Sequence, residues 1–277
     1  MKLSTKQIIK KLDNSGYCIV KNILPKKSCN NIKLSIENTL AKIKLNKHFK
    51  DELSKQGQVV IRDLILLEPK SFLPLLNLSL IHKVLPAIFN DKYILDNFMA
   101  SNSIKTKNKY KALVHIDSHL PAKELKNTSD VVVLLCLDEF TKENGCTKIW
   151  PGSHKSGVRI QNEEKKLSKK KSFKYVEAPK GSVVFFLGQS WHQIGKNLNN
   201  NSRWGILIHF KRWWIKPSTD FTKCGPKIFK VLNKKQRELL GFTSISPKFN
   251  FKIQTKELKT LRKYSSLGSN YFKIIKY

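Results

Sequence analysis

The sequence predicts a mainly β protein with flanking helices, in which the strands form a sandwich or jelly-roll core. Helical periodicity is concentrated in residues 1–92, whereas seven short segments of strand character, separated by turn residues, fall within residues 93–216. Many short strands joined by turns are typical of β sandwiches and jelly rolls. We therefore interpret 1–277 as a single domain, with a helical N-terminal part (1–92) packing on a jelly-roll core (93–216) and a C-terminal extension (217–277).

The N-terminal part begins with a capped helix. Ser4 or Thr5 is a suitable N-cap, and the helix continues through Leu12 until Asn14-Ser15-Gly16 ends it. Residues 17–20 have the apolar, β-branched composition of a buried strand.

Two further segments of this part have a clear period. Pro25 precedes an amphipathic helix to about residue 44, because apolar side chains recur at helical spacing from Cys29 onward. Residues 59–67 suit a strand, and residues 72–89 have helical periodicity that we expect to be broken near their two prolines.

The core and the C-terminal extension follow. Asn144-Gly145 indicates a tight turn, residues 162–174 have the composition of a solvated excursion, and residues 234–240 suit a helix. We predict strands over residues 93–104, 111–117, 131–137, 146–150, 172–177, 182–187 and 203–211.

The charge is strongly positive. Lysine and arginine total 53 against 20 acidic residues, which gives a formal net charge of +33, yet only six of the 53 are arginines. Readers of bases and phosphates rely on arginine forks, so the lysine excess favours a compositional origin, and we expect no specific nucleic-acid partner. A basic nucleic-acid-binding protein remains the alternative, and an anionic small-molecule substrate is compatible with the charge.

The five cysteines form no C-x-x-C pair, and any disulfide scheme would leave one unpaired. A reducing compartment, the cytoplasm, is the simplest interpretation. The N-terminus lacks a signal-type apolar segment, and no apolar run has the length of a membrane span, so we expect none. The oligomeric state stays open.

The motif with the most chemistry is His115-Ile116-Asp117, together with His192 far downstream. On an extended strand, residues two apart share a face, so His115 and Asp117 point the same way and a histidine from another strand can complete a three-ligand set. Two imidazoles and one carboxylate are the facial triad of non-haem Fe(II) oxygenases. A zinc site or a buried polar network remains the alternative.

Arg203 lies eleven residues after His192, on a segment of strand character, and a guanidinium is well suited to bind a carboxylate through two hydrogen bonds. Two further runs lie between Asp117 and His192. They are Asn-Gly-Cys-Thr-x-x-Trp-Pro-Gly-Ser-His at 144–154 and Pro-Lys-Gly-Ser-Val-Val-Phe-Phe at 179–186. With these motifs in this order, the chain resembles the phytanoyl-CoA dioxygenase family of Fe(II)/2-oxoglutarate oxygenases, from about residue 16 to residue 242.

The resemblance implies a double-stranded β-helix, cupin-like core and a 2-oxoglutarate-dependent non-haem iron dioxygenase that hydroxylates a small molecule and releases succinate and CO2. Fe(II) would be held by the catalytic residues His115, Asp117 and His192, with 2-oxoglutarate and O2 as co-substrates. Arg203 would pair with the far carboxylate of 2-oxoglutarate. Thr147 and Gln189 are further candidates for binding the co-substrate, with a structural role as the alternative for each.

Two other histidines are weaker candidates. His119 continues the alternation of His115 and Asp117, so it would face either the mouth of the pocket or solvent. His154 follows a Pro-Gly turn, and we expect it to stabilise that turn. A jelly-roll protein that binds without catalysis remains an alternative for the whole chain.

Overall fold

The computed structural model describes residues 3–43, 57–106, 112–118, 120, 124–157 and 172–244. Within these ranges, antiparallel strands form a six-stranded sheet, in the order β1-β7-β4-β9-β3-β2, and a three-stranded sheet, in the order β6-β5-β8. The strands are β1 Tyr17–Val20, β2 Gln58–Arg62, β3 Tyr93–Ser103, β4 Asp130–Cys136, β5 Lys148–Ile149, β6 Lys174–Tyr175, β7 Val183–Leu187, β8 His192–Gln193 and β9 Arg203–Arg212.

Side chains from both sheets pack together, among them Val132 and Phe186 of the large sheet and Ile149 of the small one. Because the two antiparallel sheets enclose this shared core, the fold is a jelly roll with flanking helices. The predicted fold class is confirmed.

The first helix, Thr5–Ser15, forms as its sequence indicates. Ser4 and Gln7 make a reciprocal capping box, in which each side chain accepts a hydrogen bond from the other residue's backbone N–H. Gly16 ends the helix with φ of 80°, a conformation that glycine adopts without strain. The other helices are Lys26–Lys42, Leu64–Leu67, Pro69–Phe72, Ser79–Phe89, Pro226–Val231 and Lys234–Leu239, and short 3-10 helices are Leu73–Asn77, Leu125–Asn127, Ser153–Ser156 and Phe221–Lys223.

The main hydrophobic core lies between the helices and the outer face of the large sheet. Side chains from the helices Thr5–Ser15, Lys26–Lys42 and Ser79–Phe89 join alternate residues of the central strands in this core. On β9 these are Trp204, Ile206, Ile208 and Phe210, each at most 2% exposed.

Three predicted elements differ from the structure. The strand predicted over residues 59–67 ends at Arg62, because Asp63 takes a left-handed conformation (φ of 56°) and the chain continues as a helix from Leu64. Pro86 does not break the helix Ser79–Phe89. A proline removes one backbone donor, and this helix keeps a continuous buried face formed by Ile81, Val84, Leu85, Ile88 and Phe89.

The third difference concerns the strand predicted over residues 111–117. Of its described residues only His115 pairs, in an isolated antiparallel bridge with His192. The ladder stops there because the N–H groups of Asp117 and Ser118 both bond to the carbonyl of Gly188.

Two strands of the N-terminal part, β1 and β2, form the edges of the large sheet, so this part contributes to the sheet as well as covering it.

No single helix within the described ranges is long and apolar enough to cross a membrane. The segments Pro69–Asn77 and Ser79–Phe89 are long and apolar enough only when they are counted together, across a bend of 55°. Its apolar side chains, including Phe72, Leu76 and Leu85, are buried in the core. The excursion predicted over residues 162–174 falls almost entirely outside the described residues, as does the chain after residue 244.

Candidate metal centre

His115 and His192 are brought together by the backbone bridge between their two segments. The N–H of each donates to the carbonyl of the other, at 2.9 and 3.0 Å, and the imidazole centroids are 4.2 Å apart. Asp117 lies on the same face as His115. Its Oδ1 is 3.7 Å from His115 Nε2, and its Oδ2 is 3.5 Å from His192 Nε2. One donor atom from each residue therefore lies within 4.8 Å of the others.

Both imidazoles are oriented by backbone carbonyls. Nδ1 of His115 lies 3.1 Å from the carbonyl oxygen of Leu113, and Nδ1 of His192 lies 3.0 Å from that of Ser190. With the proton on Nδ1, each ring directs an unprotonated Nε2 toward the shared point, as metal-binding histidines do. Burial lowers the pKa of His192 to about 4, against the opposing effect of Asp117, so this imidazole is neutral at neutral pH.

The donor set fits a divalent metal better than a hydrogen-bonded network. At 3.5 and 3.7 Å, the separations between Nε2 and carboxylate oxygen are longer than good N–H···O hydrogen bonds. Two imidazoles and one carboxylate on one face are the ligands of a non-haem Fe(II) site with open positions.

The loop that carries Asp117 is anchored to the large sheet through Gly188. Gly188 accepts hydrogen bonds from the N–H groups of Asp117 and Ser118, both at 2.9 Å, and donates its own N–H to the carbonyl of Asp130. A Cβ on Gly188 would lie 2.7 Å from the Cβ of Asp130, so only glycine fits there. The buried hydroxyl of Ser118 adds a bond to Ser129 (2.6 Å), which in turn donates to the Asp130 carboxylate.

A cavity of about 550 Å³ lies beside the triad, with walls from both sheets. The large sheet contributes alternate residues, as expected for one face of each strand. Those on β2 are Gln58, Val60 and Arg62, those on β3 are Met99 and Ser101, and those on β9 are Arg203, Gly205, Leu207 and His209. Within the described lining, Asp117 is the sole carboxylate and there is no lysine.

Arg203 lies at the start of β9 and is 5% exposed. Its guanidinium donates to the carbonyl of Gly145 at 2.9 Å and sits 3.9 Å from the centroid of the Phe140 ring. No carboxylate among the described residues lies within ion-pair distance of Arg203. Asp138 acts on it from further away and is itself paired with Lys33. Burial lowers its pKa to about 10, so the group stays charged at neutral pH.

A buried cation without a counterion is unfavourable, and the cavity that it lines gives an anionic ligand access to it. The turn predicted at Asn144-Gly145 helps to hold this arginine. Gly145 has φ of 77°, and a Cβ there would lie 2.7 Å from Ser103 Oγ and 2.8 Å from the carbonyl oxygen of Gly195.

The remaining candidates from the sequence have three different outcomes. Thr147 lines the cavity with the triad and Arg203. Gln189 is 4% exposed and is not among the residues that line the cavity. His154 hydrogen-bonds through Nε2 to the carbonyl of Asp13 at 3.0 Å, away from the cavity. His119 lies outside the described residues.

Sequence reasoning missed two ionisable residues of the cavity, Arg62 and His209. His209 had a usable signal, because it lies six residues after Arg203 on β9 and so shares its face. Arg62 had none, because its position depends on the pairing of β2 with β3, which is distant in sequence.

Comparison with known families gives a match over most of the chain. The model of the family described as phytanoyl-CoA dioxygenase (PhyH) matches residues 12–205. The chain is 22% identical to uncharacterized protein Rv1501 of Mycobacterium tuberculosis over 247 residues, 87% of this chain and 88% of the relative. It is 28% identical to dioxygenase af480 of Aspergillus fumigatus over 163 residues, 57% of this chain and 51% of the relative.

Solved structures share the fold. HygX from Streptomyces hygroscopicus, with nickel, 2-oxoglutarate and hygromycin B bound, superposes with a TM-score of 0.62 at 15% identity, covering 78% of this chain and 90% of that one. The epimerase SnoN from nogalamycin biosynthesis, in complex with Fe3+, alpha ketoglutarate and nogalamycin RO, gives a TM-score of 0.62 at 14% identity, covering 83% and 90%. At such identities the likeness concerns the fold.

Proposed function

The chain belongs to the phytanoyl-CoA dioxygenase family, and on that premise we propose that it is an Fe(II)- and 2-oxoglutarate-dependent dioxygenase that hydroxylates a small molecule. One observation carries the proposal. The convergent donors of His115, Asp117 and His192 line the same cavity as Arg203, a buried cation with no carboxylate of the described residues within ion-pair distance. A metal triad and an anion site in one cavity match a metal-chelating diacid.

Each residue has a defined task in this proposal. His115, Asp117 and His192 would hold Fe(II), and Arg203 would pair with the carboxylate of 2-oxoglutarate that does not reach the metal. When bound, the metal and co-substrate supply the oxidation of a substrate C–H bond by O2, with succinate and CO2 released. Thr147 lies in the same lining, and its hydroxyl would add a hydrogen bond to the co-substrate.

The protein's own contribution is position and exclusion of water. The ring of Phe186 lies 5.1 Å from that of His192, whose side chain is buried. Burial keeps His192 neutral, which is the form that binds a metal. The open side of the triad is left for small ligands.

Hydroxylation is the proposed outcome, and product analysis distinguishes it from others. SnoN is described as an epimerase, so the fold also accommodates reactions that add no oxygen atom. Incorporation of one oxygen atom from 18O2 into the product would support hydroxylation. We also propose a cytoplasmic location, in keeping with the free thiols of Cys18, Cys29, Cys136, Cys146 and Cys224.

The test is an anaerobic titration of 2-oxoglutarate into the Fe(II)-loaded protein, followed by visible absorption. A bidentate chelate at a ferrous site is expected to produce a charge-transfer band, which Asp117→Ala should abolish. The matched control, Glu37→Ala, removes an exposed carboxylate on the helix Lys26–Lys42 and should leave the band unchanged. If the wild-type protein gives no band with Fe(II) and saturating 2-oxoglutarate, the proposed function is wrong.

A further inference from the structure

Arg62 lies on β2, at the edge of the large sheet, with its side chain in the lining of the cavity. Its neighbour Ile61 points to the opposite face and belongs to the main core, so the alternation of the strand fixes the direction of Arg62. In the register of the sheet, Arg62 pairs with Met99, which pairs with Leu207, and both of these also line the cavity. Arg62 is exposed, which places it where a ligand can enter.

Arg62 differs from the other described arginines in having no acceptor. Arg203 donates to Gly145, Arg212 to the carbonyls of Thr128 and Phe89, and Arg237 to that of Phe229. Among the described residues, the side chain of Arg62 makes no hydrogen bond or ion pair. Its five donors are therefore available to a ligand in the cavity.

The charges of the cavity leave Arg62 uncompensated once the proposed ligands are in place. The two positive charges of Fe(II) and the one of Arg203 are balanced by Asp117 and the two carboxylates of 2-oxoglutarate. Arg62 is then the remaining arginine of the described cavity wall, which holds no lysine, and a substrate anion would neutralise it.

The side chains around Arg62 also indicate that the rest of the substrate is apolar. Val60 precedes it on the same face of β2, and Met99, Leu134 and Leu207 continue the wall toward Phe186 beside the metal ligands. This strip is apolar, whereas its end at Arg62 is cationic. Lysine supplies nearly all basic residues of the chain, and yet the described cavity wall holds arginines, whose planar forks fit carboxylate and phosphate groups.

We propose that Arg62 binds the anionic group of the substrate, and that the substrate is an organic carboxylate or phosphate monoester with an apolar body. The inference rests on the proposed function, since it places the apolar body between Arg62 and the triad. Arg62 is thus a specificity-determining residue, distinct from Arg203, which serves the co-substrate.

The experiment measures binding to the full chain loaded anaerobically with Fe(II) and 2-oxoglutarate, by isothermal titration calorimetry. The probes are octanoate, octyl phosphate and octanamide, which share an apolar chain and differ in the charge and shape of the head group. The wild-type protein should bind at least one of the two anions about tenfold or more tightly than the amide, as expected for a charge-assisted pair. Comparing octanoate with octyl phosphate identifies which anion Arg62 prefers.

Arg62→Gln should lower the affinity for the preferred anion by about tenfold or more and leave that for octanamide unchanged. Arg62→Lys should retain part of the preference. Lys83→Gln removes one positive charge from an exposed site on the helix Ser79–Phe89 and should change nothing, which controls for net charge. All three variants should bind 2-oxoglutarate like the wild type.

Two results would overturn the inference while the proposed function stands. One is a wild-type protein that binds Fe(II) and 2-oxoglutarate but either binds none of the probes or binds anions and amide equally. The other is an unchanged anion preference in Arg62→Gln. If the wild-type protein does not form the Fe(II)–2-oxoglutarate chelate at all, both proposals fail, and the absorption titration shows this separately.

Discussion

The two faces of strand β9 differ in composition and in purpose. Toward the helices it presents large apolar side chains that are almost completely buried, namely Trp204, Ile206, Ile208 and Phe210. Toward the cavity it presents a buried cation, a glycine, a half-buried leucine and a histidine, namely Arg203, Gly205, Leu207 and His209. One strand thus carries a part of the core on one face and a part of the candidate active site on the other.

Residues that stabilise the fold and residues that line the candidate site therefore alternate along β9. Burial of apolar area on the helix side stabilises the fold, whereas the polar groups on the cavity side gain nothing comparable from folding. Substitutions on the cavity wall should therefore lower activity more than stability, and substitutions on the helix side should do the reverse. Variants at matched positions test this separation.

The largest effect is expected at the cavity wall, for Asp117→Ala. Removing the one carboxylate among the metal donors should weaken Fe(II) binding and lower 2-oxoglutarate turnover by about a thousandfold or more, since metal catalysis contributes several kcal/mol and each ~1.4 kcal/mol is tenfold. The melting temperature of the metal-free protein should change little. Succinate release and calorimetry measure the two quantities, and wild-type turnover by the variant would refute the assignment of Asp117 as a ligand.

The next effect is on the helix side, for Phe210→Ala. Phe210 is fully buried and packs edge-on against Tyr93 at 5.8 Å, so its truncation should cost about 3–5 kcal/mol of unfolding free energy. At about 2–4 °C per kcal/mol for a chain of this size, the melting temperature should fall by roughly 10 °C. Turnover per folded molecule at low temperature should stay within about twofold of wild type.

The matched control for this variant is Leu207→Ala, three positions away on the opposite face. Leu207 is only half-buried at the cavity, so its truncation should cost less than half as much stability. Equal losses of melting temperature in the two variants would contradict the separation of the faces.

The same contrast explains how much was predictable from the sequence. The helix Thr5–Ser15 and strand β1 follow from local signals, a cap and an apolar run, and both were predicted within a few residues. His115 and Asp117 share a face because they are two residues apart, and His192 was added by its motif. The structure brings all three together.

The parts that sequence reasoning missed depend on distant pairing or on turns. Arg62 reaches the cavity only because β2 pairs with β3, some forty residues later in the chain, and no local pattern encodes that register. Gln189 lies in the turn before β8, where the alternation of strand residues does not apply, so its spacing from His192 gave no information on its direction. Its proposed contact with the co-substrate stays a prediction.

Arg203→Gln should have a smaller effect than Asp117→Ala and Phe210→Ala. It should act on the binding of the co-substrate. Losing one partner of a desolvated charge pair costs about 2–5 kcal/mol, so the apparent KM for 2-oxoglutarate should rise about a hundredfold. Arg212→Gln is the matched control on the same strand. Arg212 donates to the carbonyls of Thr128 and Phe89, so its loss should lower the melting temperature without changing the KM for 2-oxoglutarate. An unchanged KM in Arg203→Gln would refute its assignment.

The smallest effect is expected for Ser118→Ala, at a buried serine next to Asp117. The Ser118 hydroxyl bonds to Ser129, which bonds to Asp130, a carboxyl whose pKa is raised chiefly by burial. Deleting the hydroxyl loosens the loop that carries Asp117 without touching the metal, and such supporting contacts change metal affinity by about tenfold or more. Ser35→Ala, at an exposed hydroxyl on the helix Lys26–Lys42, is the control.

Fe(II) affinity, measured by competition with a chelator, and the free energy of unfolding together decide what Ser118 does. If the serine only supports the fold, the unfolding free energy should fall by about 1–3 kcal/mol, the cost of an unsatisfied buried partner, with metal affinity unchanged in the folded protein. If it positions Asp117, the affinity should fall about tenfold even where the protein is fully folded, and the KM for 2-oxoglutarate should stay near the wild-type value. The second result is expected, because the N–H groups of Asp117 and Ser118 share one acceptor, the carbonyl of Gly188, so a shift of one residue moves the other.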